Sequence, residues 1–174
     1  GYTISIRMII FAILPAWGMA NAAATLVGQN LGANQPERAE KSVWTSAFYT
    51  MLFLLGVSIV YYLFSNPLIG FFHDDPRVVD IGSTSLKIIC LGYVFFAYGM
   101  VISQSFNGAG DTRTPTVLNF ICFWLLQIPL AYIMGISMNL GPSGVFWAIA
   151  ISETVLAIMC IYLFRKGAWK KVSI

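Results

Sequence analysis

Residues 114–152 read TPTVLNFICFWLLQIPLAYIMGISMNLGPSGVFWAIAIS, which is 39 consecutive residues without an Asp, Glu, Lys or Arg. A helix that crosses the hydrocarbon core of a bilayer needs about 20 mostly apolar residues. The segment is therefore long enough for two such helices. Gly141, Pro142 and Gly144, which favour a turn, lie between its two halves. The segment predicts two membrane-spanning helices joined by a short connection.

Three other segments lack charged residues in the same way, at residues 8–36, 42–72 and 88–110. Their apolar residues do not alternate with polar ones at every second position, as they would in a membrane β-barrel. The whole chain is 58% hydrophobic and only 10% charged, with a mean hydropathy of +0.77. We therefore predict an all-α, polytopic membrane helix bundle in which residues 1–174 form a single transmembrane domain. The predicted spans are residues 4–27, 43–64, 81–106, 116–137 and 144–164.

The basic residues are concentrated between alternate spans. Seven of the ten lie on one predicted side, and three lie on the other. The larger group is Arg38, Lys41, Arg113, Arg165, Lys166, Lys170 and Lys171. Because cytoplasmic segments are enriched in Lys and Arg, this distribution predicts a cytoplasmic C-terminus and an external N-terminus. The net charge of +3 then reflects topology, and no nucleic-acid partner is predicted.

An external N-terminus affects how the start of the chain is interpreted. Gly1 stands at the first position instead of Met, and the charged segment that opens a signal peptide is absent. A first span at residues 4–27 would more readily follow an earlier span. We therefore expect further residues to precede Gly1 in the full protein.

Small residues occupy every fourth position along the first predicted helix and its end. The row consists of Ala12, Ala16, Ala20, Ala24, Gly28 and Gly32. Small side chains let helix backbones approach closely in lipid, where helices associate through van der Waals packing. A row with this spacing drifts by about 40° per step, so one straight partner contacts only part of it. We expect the row to pack against a neighbouring helix.

Side chains capable of catalysis or metal binding are few and isolated. Cys90, Cys122 and Cys160 lie inside predicted spans, where buried thiols behave as small apolar groups. His73 stands alone in a polar loop, without the further ligands that a zinc site needs. The glycine-rich segments do not follow a β-strand, so they do not match phosphate or dinucleotide loops. No enzyme activity, metal or cofactor is predicted.

Three segments carry the most distinctive sequence of the chain. They are GQNLGANQPERAEK at residues 28–41, FFHDDPRVVDIGSTSLKI at residues 71–88, and NGAGDTRTP at residues 107–115. We expect Asp74 or Asp75 to cap a helix that begins at Pro76. We also expect Thr114 to cap another helix, with Pro115 at its first position.

These segments resemble, in order and spacing, the signatures of the multidrug and toxic compound extrusion (MATE) transporters. The matching cytoplasmic loop residues are Gly28, Gln29, Gly32, Pro36, Arg38, Gly108, Gly110, Asp111, Arg113 and Pro115. The resemblance implies helices eight to twelve of a twelve-helix protein, which is the C-terminal lobe without its first helix. The N-terminal lobe would be missing.

The resemblance also implies a function. It implies a multi-pass transporter of the plasma membrane that exports cationic or amphipathic compounds in exchange for Na⁺ or H⁺, with no cofactor. Family members with a cation site in this lobe use carboxylates on its first helix and on the third helix present here. Residues 88–106 contain no Asp or Glu, which departs from that pattern.

Glu153 is the only acidic residue inside the predicted spans. An ionisable side chain at that depth is costly to bury, so it is a hypothesis for a functional site by default. It would carry a proton or a cation, or else be a hydrogen-bonded packing residue. Glu153 lies on the last helix, and in MATE transporters the outermost helices do not usually form the cavity wall.

Other polar residues in the spans extend this candidate substrate and ion pathway. Met100, Gln104 and Asn107 share one face of the third span. Asn119 and Gln127 lie close together around the fourth, with Trp124 expected between them. Asn21 on the first span is a weaker candidate. Amides in membrane helices either bridge helices or line a wet cavity, and both alternatives remain open here.

Two alternative functions come from other interpretations of the same spans. A lipid-linked saccharide flippase of the same superfamily would carry more basic residues in its cavity, and only Arg7 is a candidate here. An inactive membrane scaffold would need no polar pathway. A membrane enzyme is disfavoured because Glu153 has no His, Asp or Lys at the same predicted depth.

Overall fold

The first two helices are the longest in the chain, and a short loop joins them. α1 comprises Tyr2–Gly32 and α2 comprises Pro36–Gly70. α2 departs from helical geometry at Phe64 (φ −109°, ψ 18°), just before Pro67, which has no backbone N–H to donate. The computed structural model describes residues 2–171, so residue 1 and residues 172–174 of the predicted domain lie outside the described residues.

Four more helices complete the bundle. They are α3 (Pro76–Leu91), α4 (Tyr93–Gly108), α5 (Arg113–Ser137) and α6 (Pro142–Lys166), followed by a 3₁₀ turn at Ala168–Lys171. α1, α2, α5 and α6 are each long and apolar enough to cross a membrane, and α3 with α4 gives a bent fifth candidate. Residues 2–171 contain helices and turns but no strand, which confirms the predicted all-α membrane bundle.

The third span is broken where α3 meets α4. The two helices are bent by 57° at Gly92, whereas the sequence predicted one uninterrupted helix over residues 81–106. At the break, the Gly92 N–H donates to the carbonyl of Ile89 at 3.0 Å. The hydroxyl of Ser58 donates to the carbonyl of Cys90 at 2.9 Å. A break within a bilayer requires such replacement bonds, because water is absent there to pair with backbone groups.

The small-residue row of α1 packs closely against α4. Ala16 and Ala20 are fully buried. A Cβ placed on Gly108 would lie only 2.2 Å from the carbonyl oxygen of Ala24, and one on Gly28 would lie 3.2 Å from the carbonyl oxygen of Gly108. The backbones of α1 and α4 therefore touch at Gly108. A larger residue at this position would push the two helices apart. This contact confirms the predicted close packing.

A second close contact runs along α4 and α6. The contacting pairs are Gly92 with Ala150, Gly99 with Ala157, and Phe106 with Phe164. Cβ atoms built on the two glycines would lie 3.7 and 3.3 Å from the alanine Cβ atoms, and the two phenylalanine ring centroids are 5.9 Å apart. Each step covers seven residues on both helices, so α4 and α6 run parallel in register. We call these three contacts the α4–α6 seam. Such a repeat is typical of helices that pack over several turns.

Most of the basic residues lie at one end of the bundle, in the helix ends beside two loops and in the final 3₁₀ turn. The 3₁₀ turn folds back so that the Trp169 ring stacks on Phe164 at 4.6 Å, and the indole N–H donates to the Phe164 carbonyl at 2.9 Å. Lys170 pairs with Glu40 at the start of α2. We call this the basic end, and it comprises residues 33–41, residues 109–113 and residues 165–171.

Replacing Gly108 with Ala should destabilise the bundle, because the added Cβ meets the Ala24 carbonyl and forces α1 away from α4. Overpacking of this kind costs about 1–3 kcal/mol, so the thermal unfolding midpoint of the purified protein should fall by several degrees. Gly56→Ala is the matched control, since no atom lies within 4 Å of a Cβ at that position. Equal midpoints for the two variants would contradict the contact.

The shared basic end predicts which loops can be labelled from the same side of the membrane. Single cysteines at Gln35 and Thr112 should react with a membrane-impermeant maleimide from one side, and a cysteine at Asp75 from the other. The three native cysteines are buried, so replacing them with Ala provides the background. Labelling of Gln35→Cys and Thr112→Cys from opposite sides would show that the helix order is wrong.

Candidate functional site

Of the cavities between α4 and α6, two share lining residues and lie one beyond the other. A third, of about 200 Å³, is lined by Phe95 and Ala150 and shares neither Phe96 nor Glu153 with them. The first has a volume of about 170 Å³, and its apolar wall is formed by Ile6, Ile9, Ile13, Ile89 and Ile149. The second has a volume of about 150 Å³ and contains polar side chains. We call them the isoleucine-lined cavity and the amide-lined cavity. Phe96 of α4 and Glu153 of α6 contribute to both.

The amide-lined cavity brings together four of the residues that the sequence singled out. Met100, Gln104, Asn119 and Glu153 line it, although they come from α4, α5 and α6. Asn107 is joined to this group because its amide N–H donates to the Gln104 Oε1 at 3.2 Å. The cavity thus combines one carboxylate with amide groups and a flexible thioether, while its role stays a prediction.

Two further candidates lie apart from this cavity. Asn21 is exposed on α1, and its carbonyl accepts a hydrogen bond from the Thr25 hydroxyl at 3.0 Å. The side-chain oxygen of Gln127 is buried and has no hydrogen-bond partner among the described residues. Gln127 is not among the residues that line the amide-lined cavity.

An aromatic side chain from α5 completes the amide-lined cavity, and it is not Trp124, which was expected between the two amides. Trp124 is 64% exposed, whereas Phe123 lines the cavity beside Asn119. An α-helix has about 3.6 residues per turn, so the side chain four residues after Asn119 lies closer to it around the helix than the one five residues after. This places Phe123, and not Trp124, on the same face as Asn119. Residues Phe120–Gln127 also form a π-helix, whose turns are wider than those of an α-helix. π-Helical segments are rare in proteins, and those that occur often lie at functional sites. No sequence pattern indicated this one.

Glu153 lies half-buried where the two cavities meet. It is three residues after Ala150 and four before Ala157, so the α4–α6 seam turns it towards α4. Among the described residues, no Lys or Arg forms an ion pair with Glu153. The ion pair that those residues do form joins Glu40 and Lys170, at the basic end. A carboxylate in a membrane span without a basic partner is suited to hold a proton or an exchangeable cation.

A family model named MatE matches residues 1–133 of the chain. The chain belongs to the MATE family. A relative from Thermotoga maritima, named probable multidrug resistance protein NorM, is 29% identical to this chain. The match includes 100% of this chain and 38% of the relative. The multidrug resistance protein MdtK of Photorhabdus laumondii is 27% identical, covering 87% of this chain and 33% of its own length.

Solved structures of MATE transporters share the fold of this chain. One of MATE in the straight conformation matches with a TM-score of 0.90 at 25% identity, over 98% of this chain and 39% of that one. One in the bent conformation matches with a TM-score of 0.89 at 25% identity, over 98% and 38%. The chain therefore spans well under half the length of its relatives, a share that fits five helices of twelve.

The loop residues of this MATE chain set the turn geometry at the basic end. Gly110 has φ +83°, which favours glycine, and Pro36 is the first residue of α2. The Arg38 guanidinium donates to the side chain of Gln35 at 3.4 Å. Gln29 and Gly32 are exposed beside them.

The second loop differs from the expectation at the start of α5. The helix begins at Arg113, and Thr114 does not cap it as expected. Instead the Asp111 carboxylate accepts from the Thr114 N–H at 3.1 Å and from its hydroxyl at 2.6 Å. Pro115 is accordingly the third helical residue. A carboxylate is a strong acceptor for free N–H groups at a helix start, which explains why Asp111 takes this role.

On the opposite end of the bundle, the prediction for α3 is correct. Asp75 is the N-cap, and its carboxylate accepts from the Arg77 N–H at 2.9 Å. Pro76 is the first residue of the helix.

Proposed function

We propose that this chain forms part of a secondary active efflux transporter that exports cationic or amphipathic compounds in exchange for Na⁺ or H⁺. It would lie in the plasma membrane, with its C-terminus and basic end on the cytoplasmic side. The observation that carries the proposal is the amide-lined cavity, where Glu153 shares a membrane-embedded space with Gln104 and Asn119. The names of the NorM and MdtK relatives, which are multidrug resistance proteins, support it.

The geometry supports exchange through a single carboxylate. One carboxylate balances one positive charge, so a cationic substrate and a coupling ion would compete for Glu153. Each would then promote release of the other, which is the requirement for antiport. The amides can contribute carbonyl oxygens to a small cation and hydrogen bonds to a substrate. Met100, which is flexible and polarizable, suits substrates of several shapes.

A saccharide flippase is not favoured by this site. The linings of the two cavities contain no Lys or Arg, whereas a phosphate-linked saccharide would call for positive charge. Arg7, the basic residue that the sequence offered, is exposed and does not line either cavity. A scaffold role would leave an unpaired membrane carboxylate without purpose.

Glu153→Gln should abolish exchange while leaving the protein inserted, because Gln keeps the shape and hydrogen bonds but cannot change charge. A charged contact is worth about 1.5–3 kcal/mol, so affinity for a lipophilic cation should fall roughly ten- to hundredfold. The measurement is efflux from proteoliposomes under an imposed H⁺ or Na⁺ gradient, using the product of the full open reading frame. Glu37→Gln, exposed at the basic end, is the matched control.

The amides provide further arms of the same experiment. Gln104→Ala and Asn119→Ala should lower efflux by a smaller factor, because each removes a neutral contact from the cavity. Asn21→Ala should leave efflux unchanged, since that side chain is exposed away from the cavity. Wild-type efflux in Glu153→Gln, with loss confined to Glu153→Ala, would make Glu153 a structural residue and overturn the proposal.

A further inference from the structure

Phe96 and Glu153 line both cavities, so they lie where the two spaces adjoin. Along α4, residues 89–93 contribute to the isoleucine-lined cavity and residues 99–104 to the amide-lined cavity, with Phe96 shared. Along α6, Ile149 and Ala150 line the first cavity and Leu156 the second, with Glu153 shared. The cavities therefore meet end to end at one level of the groove.

Neither cavity is large enough alone for a drug-sized molecule. Pockets for such ligands begin at about 300 Å³. The cavities measure about 170 and 150 Å³, so only the two joined reach the lower end of that range. The Phe96 side chain is partly buried and lines both spaces.

The two spaces differ in the chemistry that they offer. The amide-lined cavity holds Phe96, Phe123 and Glu153, and aromatic faces beside a carboxylate attract a quaternary ammonium group. The isoleucine-lined cavity offers branched alkyl side chains, which suit a hydrocarbon chain. A ligand with a cationic head and an apolar chain would match both spaces at once if it passed Phe96.

We propose that Phe96 is a specificity-determining partition, which joins the two cavities into one elongated site and sets the length of apolar chain that a bound cation can carry. The inference rests on the proposed function, because it assigns a geometry to the substrate of the same site. The cationic head lies beside Glu153 in the amide-lined cavity. The chain extends past the Phe96 ring towards Ile9 and Ile13.

The test uses tetramethylammonium, butyltrimethylammonium and hexyltrimethylammonium as competing ligands for the purified product of the full open reading frame. In the wild type, affinity should rise about fourfold for each CH₂ that enters the isoleucine-lined cavity. Phe96→Trp enlarges the partition and should remove this rise, so that the three ions bind the variant with affinities within about twofold of one another. Ile13→Phe fills the cavity from α1 and should do the same.

Phe95→Ala is the matched control. Phe95 is the neighbouring residue, 44% exposed and outside both cavities, so the rise with chain length should persist. The thermal unfolding midpoint of each variant shows that it is folded, and Ile13→Phe keeps the test decisive if Phe96→Trp does not fold.

The outcomes separate the two proposals. If no quaternary ammonium ion binds the wild type, the proposed function fails and the partition fails with it. If the ions bind, but the chain-length dependence is the same in Phe96→Trp, Ile13→Phe and the wild type, the partition alone is overturned. Loss of the rise in both variants, with retention in Phe95→Ala, supports the partition.

Discussion

The bundle depends on how closely α4 can approach its neighbours, since lipid tails are as apolar as the side chains they would replace. Helices in a bilayer gain little from excluding lipid, and they associate through tight packing between small residues. α4 meets α1 where Gly108 faces Ala24, and it meets α6 through Gly92 and Gly99. A Cβ on Gly108 would clash with the Ala24 carbonyl, and one on Gly99 would lie only 3.3 Å from Ala157, so these two glycines allow the backbones to approach.

The α4–α6 seam also determines where polarity enters the membrane. Glu153 lies within the segment that Ala150 and Ala157 hold against α4, so it faces the groove and not the lipid. Gly92 has two roles, because it meets Ala150 and also marks the 57° bend between α3 and α4. The isoleucine-lined cavity opens at this bend. The contacts that hold the bundle together are therefore the same ones that shape the candidate site.

Much of the fold could be predicted from the sequence because charge-free segments and turn residues are local signals. The connection near Gly141 and the cap at Asp75 are of this kind. The bend at Gly92 was missed, since one glycine within an apolar segment resembles an ordinary packing position. The fold of the chain after Gly167 was missed as well, because Trp169 among basic residues looks like a solvated tail. Its burial depends on a partner, Phe164, that only the folded chain supplies.

The site was predictable in its parts but not in its arrangement. The amides and Glu153 were singled out because polar residues are rare in membrane spans, and that reasoning needs no partner. Which of them meet depends on the pairing of α4, α5 and α6, which periodicity does not reveal. Phe96 carried no signal, since one phenylalanine among many is indistinguishable until the cavities on both sides are known. Its neighbour Phe95 has the same chemistry and faces outward.

The parallel register of the α4–α6 seam underlies both fold and site, and disulfide trapping tests it most directly. A Cβ on Gly92 would lie 3.7 Å from the Cβ of Ala150, within the roughly 3.5–4.5 Å of disulfides. The experiment oxidises Gly92→Cys/Ala150→Cys in the membrane, without the native cysteines and with a protease site inserted at residues 109–112. The cleaved halves should stay joined until they are reduced, whereas Gly92→Cys/Ile151→Cys halves should separate. Separation of the first pair, or equal joining of both, would contradict the register.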